Sequence, residues 1–126
     1  MPKEKNIYRG NVFTKLYYKS IIANSGVMIR KNIIDKVGYL IEDENYLAME
    51  DYDYWLRISL KTKIDFIPDK PLLLLRKWRN NVSKGLINNW KRSLRIHLKY
   101  KKKAGTALFL KTLINDSLYY FVSFFK

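Results

Sequence analysis

The residues best suited to chemistry in this 126-residue chain are three carboxylates crowded into one short segment. Glu50, Asp51 and Asp53 open the sequence EDYDYWLRISL, whose apolar residues recur at helical spacing. Acidic side chains at a helix N-terminus complement the helix dipole and cap free amide groups. A carboxylate held there beside a cleft can equally serve as a general base on a hydroxyl group. The spacing alone leaves both interpretations open.

Several common catalytic motifs are missing from the sequence. It contains no GxxxxGK[ST] phosphate loop, no GxGxxG turn and no HExxH helix. The lack of Cys excludes disulfides and thiolate metal sites. The one His, His97, lies in a basic segment, far in sequence from any partner for a serine or cysteine triad. We therefore interpret His97 as a surface or packing residue.

Helices and strands are predicted to alternate around the carboxylates. A buried strand is expected at 27–30, and a helix follows in KNIIDKVGYL, with Asn32 as its cap and Gly38 as its stop. After the helix that carries the carboxylates, two short strands are expected, around 64–66 and 71–78. This order is typical of an α/β domain.

A change of character near residue 85 divides the chain into a first region, 1–84, and a second region, 85–126. The second region begins with a predicted basic amphipathic helix. Its apolar stripe consists of Ile87, Trp90, Leu94 and Leu98. The next segment has the length of a membrane span but carries Lys111 and Asp116 in its middle. We expect it to lie in a membrane interface or to pack on the preceding domain.

The charge of the chain favours anionic partners. Lys and Arg number 25 against 11 Asp and Glu, which gives a formal net charge of +14. Nucleic acid, acidic lipid headgroups and phosphorylated substrates would all suit this charge. The N-terminal sequence MPKEKNIYRGN lacks the apolar stretch of a secretory signal, so a cytoplasmic location is expected.

Four sequence segments together resemble the second half of family 2 glycosyltransferases, over roughly residues 10–84. In order they are NSGVMIRKNIIDKVGYL, EDYDYWLRISL, KIDFIPDKPLLLLRK and NNVSK. The most specific element is the Glu-Asp motif followed by an aromatic residue and Leu-Arg, here Glu50, Asp51, Trp55, Leu56 and Arg57. The resemblance implies an α/β fold: a partial GT-A (Rossmann-like) domain without its nucleotide-binding half, followed by C-terminal amphipathic helices.

The resemblance also implies an inverting transfer, in which an acceptor hydroxyl attacks the anomeric carbon of a nucleotide sugar. Asp51 would be the general base, Glu50 would position the acceptor or the motif loop, and Trp55 would line the acceptor pocket. Simple core packing is the alternative for Trp55. For Arg57, anchoring the motif through a carboxylate is favoured over contact with substrate.

Arg76 and Arg79 fall where a loop of the family approaches the nucleotide diphosphate. Guanidinium groups there would stabilise the departing charge, and a solvated basic loop is the alternative. Relatives often carry a His in this loop, whereas this sequence has Trp78 at that place. The departure weakens the case for a complete diphosphate site.

The nucleotide-binding half of the family, with its metal-holding Asp-x-Asp motif, has no counterpart in this sequence. Asp51 and Asp53 have the right spacing but stand in the wrong motif. We therefore expect no metal site in this chain, and Mg²⁺ or Mn²⁺ only together with a complementary N-terminal half. The chain would then be a truncated or split glycosyltransferase piece, either a separately encoded half or the remnant of a truncated gene, and no transferase activity is expected from it alone. Joined to that half, it would bind a nucleotide sugar and a glycan acceptor, peripherally at the inner face of the cell membrane.

Two other classes of function remain open. A small basic nucleic-acid-binding protein would explain the charge but not the EDYDYWLR segment, and nucleic acid is not expected as the partner because most aromatic residues occupy apolar stripes. A membrane-associated interaction protein without catalysis is the third interpretation. Its partner binding would survive the substitution Asp51→Ala.

Overall fold

The computed structural model describes residues 9–67 and 86–124, and helices cover 68% of them. The five α-helices are α1 (Phe13–Tyr18), α2 (Lys31–Val37), α3 (Glu50–Ser59), α4 (Leu86–Ala104) and α5 (Thr106–Phe124). Single turns of 3₁₀-helix lie at Asn24–Gly26 and Glu44–Tyr46. No strand occurs within the described ranges. The predicted α/β, Rossmann-like GT-A fold is therefore wrong, and the described part of the chain is helical.

The first two predicted strands do not form because neither has a neighbouring strand among the described residues. A strand needs a partner to satisfy its backbone groups. Val27 and Arg30 have extended backbone angles, yet 27–30 pairs with no strand in the described part of the chain, and Met28 is 92% exposed. In the second predicted strand, Ile64 is the one residue that pairs with another described residue, through an isolated antiparallel bridge to Gly10 with N···O distances of 2.8 and 3.0 Å. The third, 71–78, lies outside the described residues.

Helix α2 forms as predicted and ends as predicted. Gly38 follows its last residue with φ 82° and ψ −168°, and its amide donates to the Ile34 carbonyl at 2.8 Å. This backbone conformation is one that essentially only glycine adopts, which explains the stop. The predicted cap is wrong, since Arg30 occupies the N-cap position and Asn32 lies inside the first turn.

Helix α3 is the predicted carboxylate helix, and it is buried along most of its length. Its buried side chains are those of Tyr52, Asp53, Tyr54, Trp55, Leu56, Ile58 and Ser59. The Tyr52 hydroxyl lies 3.1 Å from the Leu16 carbonyl and 2.8 Å from the Tyr17 carbonyl, both in α1. Because the last carbonyls of a helix lack partners within it, this contact both satisfies α1 and fixes α3 against it.

The α4–α5 hairpin packs on α1 and α3 through one hydrophobic cluster. Its members include Phe13 and Tyr17 of α1, Trp55 and Leu56 of α3, and further residues of the hairpin: Ile96, Tyr100 and Phe109. Gly105, with φ 85°, turns the chain between α4 and α5. The cluster therefore draws on both predicted regions, while the predicted boundary at 84 and 85 lies outside the described residues.

The face of α4 that is buried is not the predicted apolar stripe. Ile87 and Leu98 of that stripe are 63% and 54% exposed, and Trp90 and Leu94 are half-buried. The buried face instead consists of Asn89, Ser93, Ile96, His97 and Tyr100. Polar contacts to α3 and α5 orient the helix in this way.

Helix α5 leaves much of its apolar surface uncovered. Its exposed large apolar residues are Leu110, Ile114, Leu118, Tyr119, Phe121 and Val122. Among the described residues, no helix combines the length and the hydropathy needed to cross a membrane.

Candidate functional site

The candidate site lies at the start of α3, where Asp51 is half-buried. Its Oδ1 accepts a hydrogen bond from the Tyr52 amide at 2.7 Å. Burial raises the pKa of Asp51 above its usual value, and the neighbouring charge of Glu50 adds to the rise, while the hydrogen bond from Tyr52 opposes it. A carboxylate whose pKa is raised holds a proton more readily than an ordinary Asp, which is the property a general base needs.

Glu50 lies beside Asp51 and offers an unused acceptor. Its Oε2 is buried and finds no hydrogen-bond partner among the described residues. A buried carboxylate oxygen without a donor is costly, because it has lost water and gained nothing in return. Among the described residues this oxygen is therefore an unused acceptor.

The Trp55 side chain is 4% exposed and packs in the hydrophobic cluster, with its ring centroid 5.5 Å from that of Tyr54. Its Nε1 is buried and has no acceptor within the described ranges. The placement fits the core-packing alternative for Trp55. The buried indole N–H can donate to a hydrogen-bond acceptor only if the surrounding side chains move apart.

Arg57 occupies an anchoring position. Its Nε lies 2.9 Å from Asp53 Oδ2, and its Nη1 and Nη2 donate to the carbonyls of Val37 and Tyr39 at 3.0 and 2.8 Å. The guanidinium also lies 5.0 Å from the centroid of the Tyr54 ring. Arg57 thus ties the end of α2 to α3, a placement that fits the anchoring interpretation.

Asp53 is fully buried and has its oxygens occupied by hydrogen-bond donors. Lys99 Nζ lies 2.7 Å and the Tyr100 hydroxyl 2.9 Å from Oδ1, while Arg57 holds Oδ2. This ion-pair cluster joins α3 to α4. Sequence reasoning grouped Asp53 with the other two acids without giving it this role. The one signal that could have indicated a pair is its spacing of four residues from Arg57, since Lys99 is 46 residues away.

The remaining predicted site residues, Arg76 and Arg79, lie outside the described residues. Within the described ranges, no group of three or more His, Cys, Asp or Glu side chains is placed to hold a metal ion. The described part of the site therefore consists of the carboxylates of α3 and the residues that contact them.

A second polar cluster, Ser93, His97 and Asp116, was missed because its members are dispersed in sequence. Asp116 Oδ2 lies 2.6 Å from Ser93 Oγ and 3.0 Å from His97 Nε2, and Ser93 Oγ lies 3.1 Å from that same nitrogen. In a catalytic triad, the carboxylate and the hydroxyl contact opposite ring nitrogens. Here both contact Nε2, and Nδ1 is buried without a partner in the described part of the chain. The cluster joins α4 to α5 and does not activate Ser93.

Comparison with known proteins found no relative of this chain. No family model matches the chain, and neither does any curated protein or solved structure. The site is therefore interpreted from its own geometry, in which Asp51 and Glu50 stand at the start of a helix that Asp53 and Arg57 hold in place.

Proposed function

We propose that the chain supplies the acceptor side of an inverting sugar transfer, with Asp51 as the general base. Asp51 takes the proton of an acceptor hydroxyl while the hydroxyl oxygen bonds to the anomeric carbon of a nucleotide sugar. The bond from that carbon to the nucleoside diphosphate breaks in the same step. A complementary nucleotide-binding chain holds the donor and its divalent cation. The proposal rests on the Glu-Asp motif and on the carboxylates, and it assumes no particular fold for the complementary chain.

The observation that carries the proposal is the difference between Asp51 and Asp53. Asp53 is enclosed by three donors, which leaves it no room to accept a substrate proton. Asp51 uses one oxygen on the Tyr52 amide, is half-buried, and has a raised pKa. Of these two acids in the first turn of α3, Asp51 is the one that can both reach a substrate and hold its proton.

The unused acceptor of Glu50 supports a positioning role beside this base. Oε2 is buried, so a sugar hydroxyl would reach it only after the surrounding side chains move, and would then satisfy an oxygen that has no partner among the described residues. A second hydroxyl of the same sugar could then be presented to Asp51. The acceptor class that follows is a polyhydroxylated glycan, in a polysaccharide or linked to a lipid.

The place of action we propose is the inner face of the cell membrane, with the chain bound peripherally. The net charge of +14 supports this, because cytoplasmic lipid surfaces are anionic. A lipid-linked acceptor would also present its sugar at that surface.

The test reconstitutes the transfer. The chain is combined with a nucleotide-binding chain encoded beside it, radiolabelled UDP-sugars and membranes of the source strain, and label in the glycan or lipid fraction is counted. Asp51→Asn keeps an oxygen for the Tyr52 amide but is a far weaker base, so we expect incorporation to fall at least about 100-fold. Asp35→Asn, at an exposed position of α2, is the matched control and should retain full incorporation.

Circular dichroism melting of each variant separates loss of chemistry from loss of fold. If the Asp51→Asn variant has the same melting temperature as the unmodified chain and transfers sugar at the same rate, Asp51 is not the general base. Incorporation that proceeds without this chain would also refute the proposal.

A further inference from the structure

Two helices of the structure expose apolar stripes on the α4–α5 hairpin. We call these residues the hairpin face: Ile87 and Leu98 of α4, with Leu110, Ile114, Leu118 and Phe121 of α5. Each of them is at least half exposed. Exposed apolar residues that recur along one side of a helix differ from apolar residues scattered singly over a surface, and they mark a candidate binding surface.

The orientation of α4 shows that its part of the hairpin face points away from the core. Side chains advance by about 100° per residue around an α-helix. Ile87 and Leu98 are therefore about 180° and 200° from Ile96, which is fully buried against the core. On α5, Ile114 is likewise on the opposite side from Asp116, the residue that contacts α4.

Positive charge is concentrated on the same hairpin. Residues 86–124 carry eight Lys and Arg but one acid, Asp116, whereas residues 9–67 carry nine Lys and Arg and eight acids. Asp116 is turned inward to Ser93 and His97. Lys91 and Lys102 are exposed and stand within about 60° of Leu98 on the helical projection. The hairpin face is therefore apolar with a basic border.

We propose that the hairpin face docks onto an anionic lipid bilayer, with α4 and α5 lying parallel to the membrane surface. This deepens the proposed function, on which it rests, by assigning the surface that holds the chain at the membrane. Apolar side chains would enter the boundary between headgroups and acyl chains, while Lys91 and Lys102 would reach the lipid phosphates. A surface that binds nucleic acid would need the basic residues but no apolar stripe. A bilayer accounts for both the basic residues and the apolar stripe.

The test is co-sedimentation of the full chain with lipid vesicles. One set contains phosphatidylglycerol mixed with phosphatidylcholine, and the other contains phosphatidylcholine alone. We expect binding to the first set, with affinity that falls as salt is added, and weak binding to the second.

Matched double variants locate the surface. Leu98→Glu with Ile114→Glu adds two negative charges within the hairpin face, and we expect it to weaken binding to the anionic vesicles at least about tenfold. Met28→Glu with Tyr39→Glu makes the same change at exposed apolar residues elsewhere and should have little effect. Likewise Lys91→Gln with Lys102→Gln should weaken binding about fivefold per lysine, whereas Lys31→Gln with Lys36→Gln, at exposed positions of α2, should not.

Three results would overturn the proposal. The first is equal vesicle binding by the hairpin-face variant and its control. The second is a dimer in sedimentation that the hairpin-face variant converts to monomer without changing vesicle binding, which would assign the face to a second copy. The third is tight binding to single-stranded RNA without binding to vesicles. Vesicle binding requires no sugar transfer, so each of these results leaves the test of Asp51 independent.

Discussion

The substitution Asp53→Ala tests whether the buried ion-pair cluster holds α3 to α4. It removes three donor contacts at once, from Arg57, Lys99 and Tyr100, at 2.9, 2.7 and 2.9 Å. Breaking a buried ion pair costs about 3–5 kcal/mol. Because the side chains of Arg57 and Lys99 are 22% and 36% exposed and can recover some hydration, we expect the lower part of that range. The loss, about 3 kcal/mol, is a large part of the ~5–15 kcal/mol that stabilises a typical domain.

Urea titration followed by far-ultraviolet circular dichroism measures the free energy of unfolding directly. Thermal melting should show a fall of roughly 10 °C in the midpoint. Asp53→Asn keeps an acceptor for Lys99 and Tyr100 and should lose less stability than Asp53→Ala. Asp35→Asn, exposed on α2, is expected to change stability by no more than about 0.5 kcal/mol. A loss below about 1 kcal/mol for Asp53→Ala would show that the pairs merely offset their own desolvation, and the reasoning would fail.

Two further predictions concern backbone strain and pH. Gly38→Ala should lower the free energy of unfolding, measured by urea titration, by about 1–3 kcal/mol, because φ 82° with ψ −168° is a backbone conformation that other residues rarely adopt. The control is Gly26→Ala, at a glycine without positive φ. Equal losses of stability in the two variants would contradict the argument. Burial, aided by the charge of Asp116, raises the pKa of Tyr17 to about 12, and burial raises those of Tyr52 and Tyr100 further. An unfolded tyrosine loses its proton near pH ~10, so stability should be intact below that pH and fall between about pH 10 and 12. A circular dichroism signal that persists after the tyrosinate absorbance accounts for all ten tyrosines would contradict this order.

The parts of the fold that sequence reasoning found are those set by local interactions. Helix α3 and its acidic first turn follow from spacing within ten residues, and the end of α2 follows from the conformational freedom of Gly38. The strand predictions at 27–30 and 64–66 were wrong because strand formation depends on a neighbour that local sequence does not supply. Val27 and Arg30 have extended backbone angles, but 27–30 pairs with no strand within the described ranges.

The site was predictable to a similar degree. The three acids and Arg57 were found together in one segment, and anchoring through a carboxylate was the favoured role of Arg57. The different roles of Asp51 and Asp53 depend on Lys99 and Tyr100, which contact Asp53 and lie more than 40 residues from it in sequence. The orientation of α4 was missed for the same reason, because its polar contacts, not its apolar stripe, decide which face is buried.

The cluster of Ser93, His97 and Asp116 also fixes the register of the α4–α5 hairpin. Apolar helices can slide past each other by a turn, about 5.4 Å, with little change in packing. Here such a slip would leave Asp116 without its partners and strand the buried imidazole of His97. Because an unpaired charge between helices is costly, one alignment is strongly preferred over its neighbours. The same alignment fixes the position of the exposed apolar residues of α4 relative to those of α5.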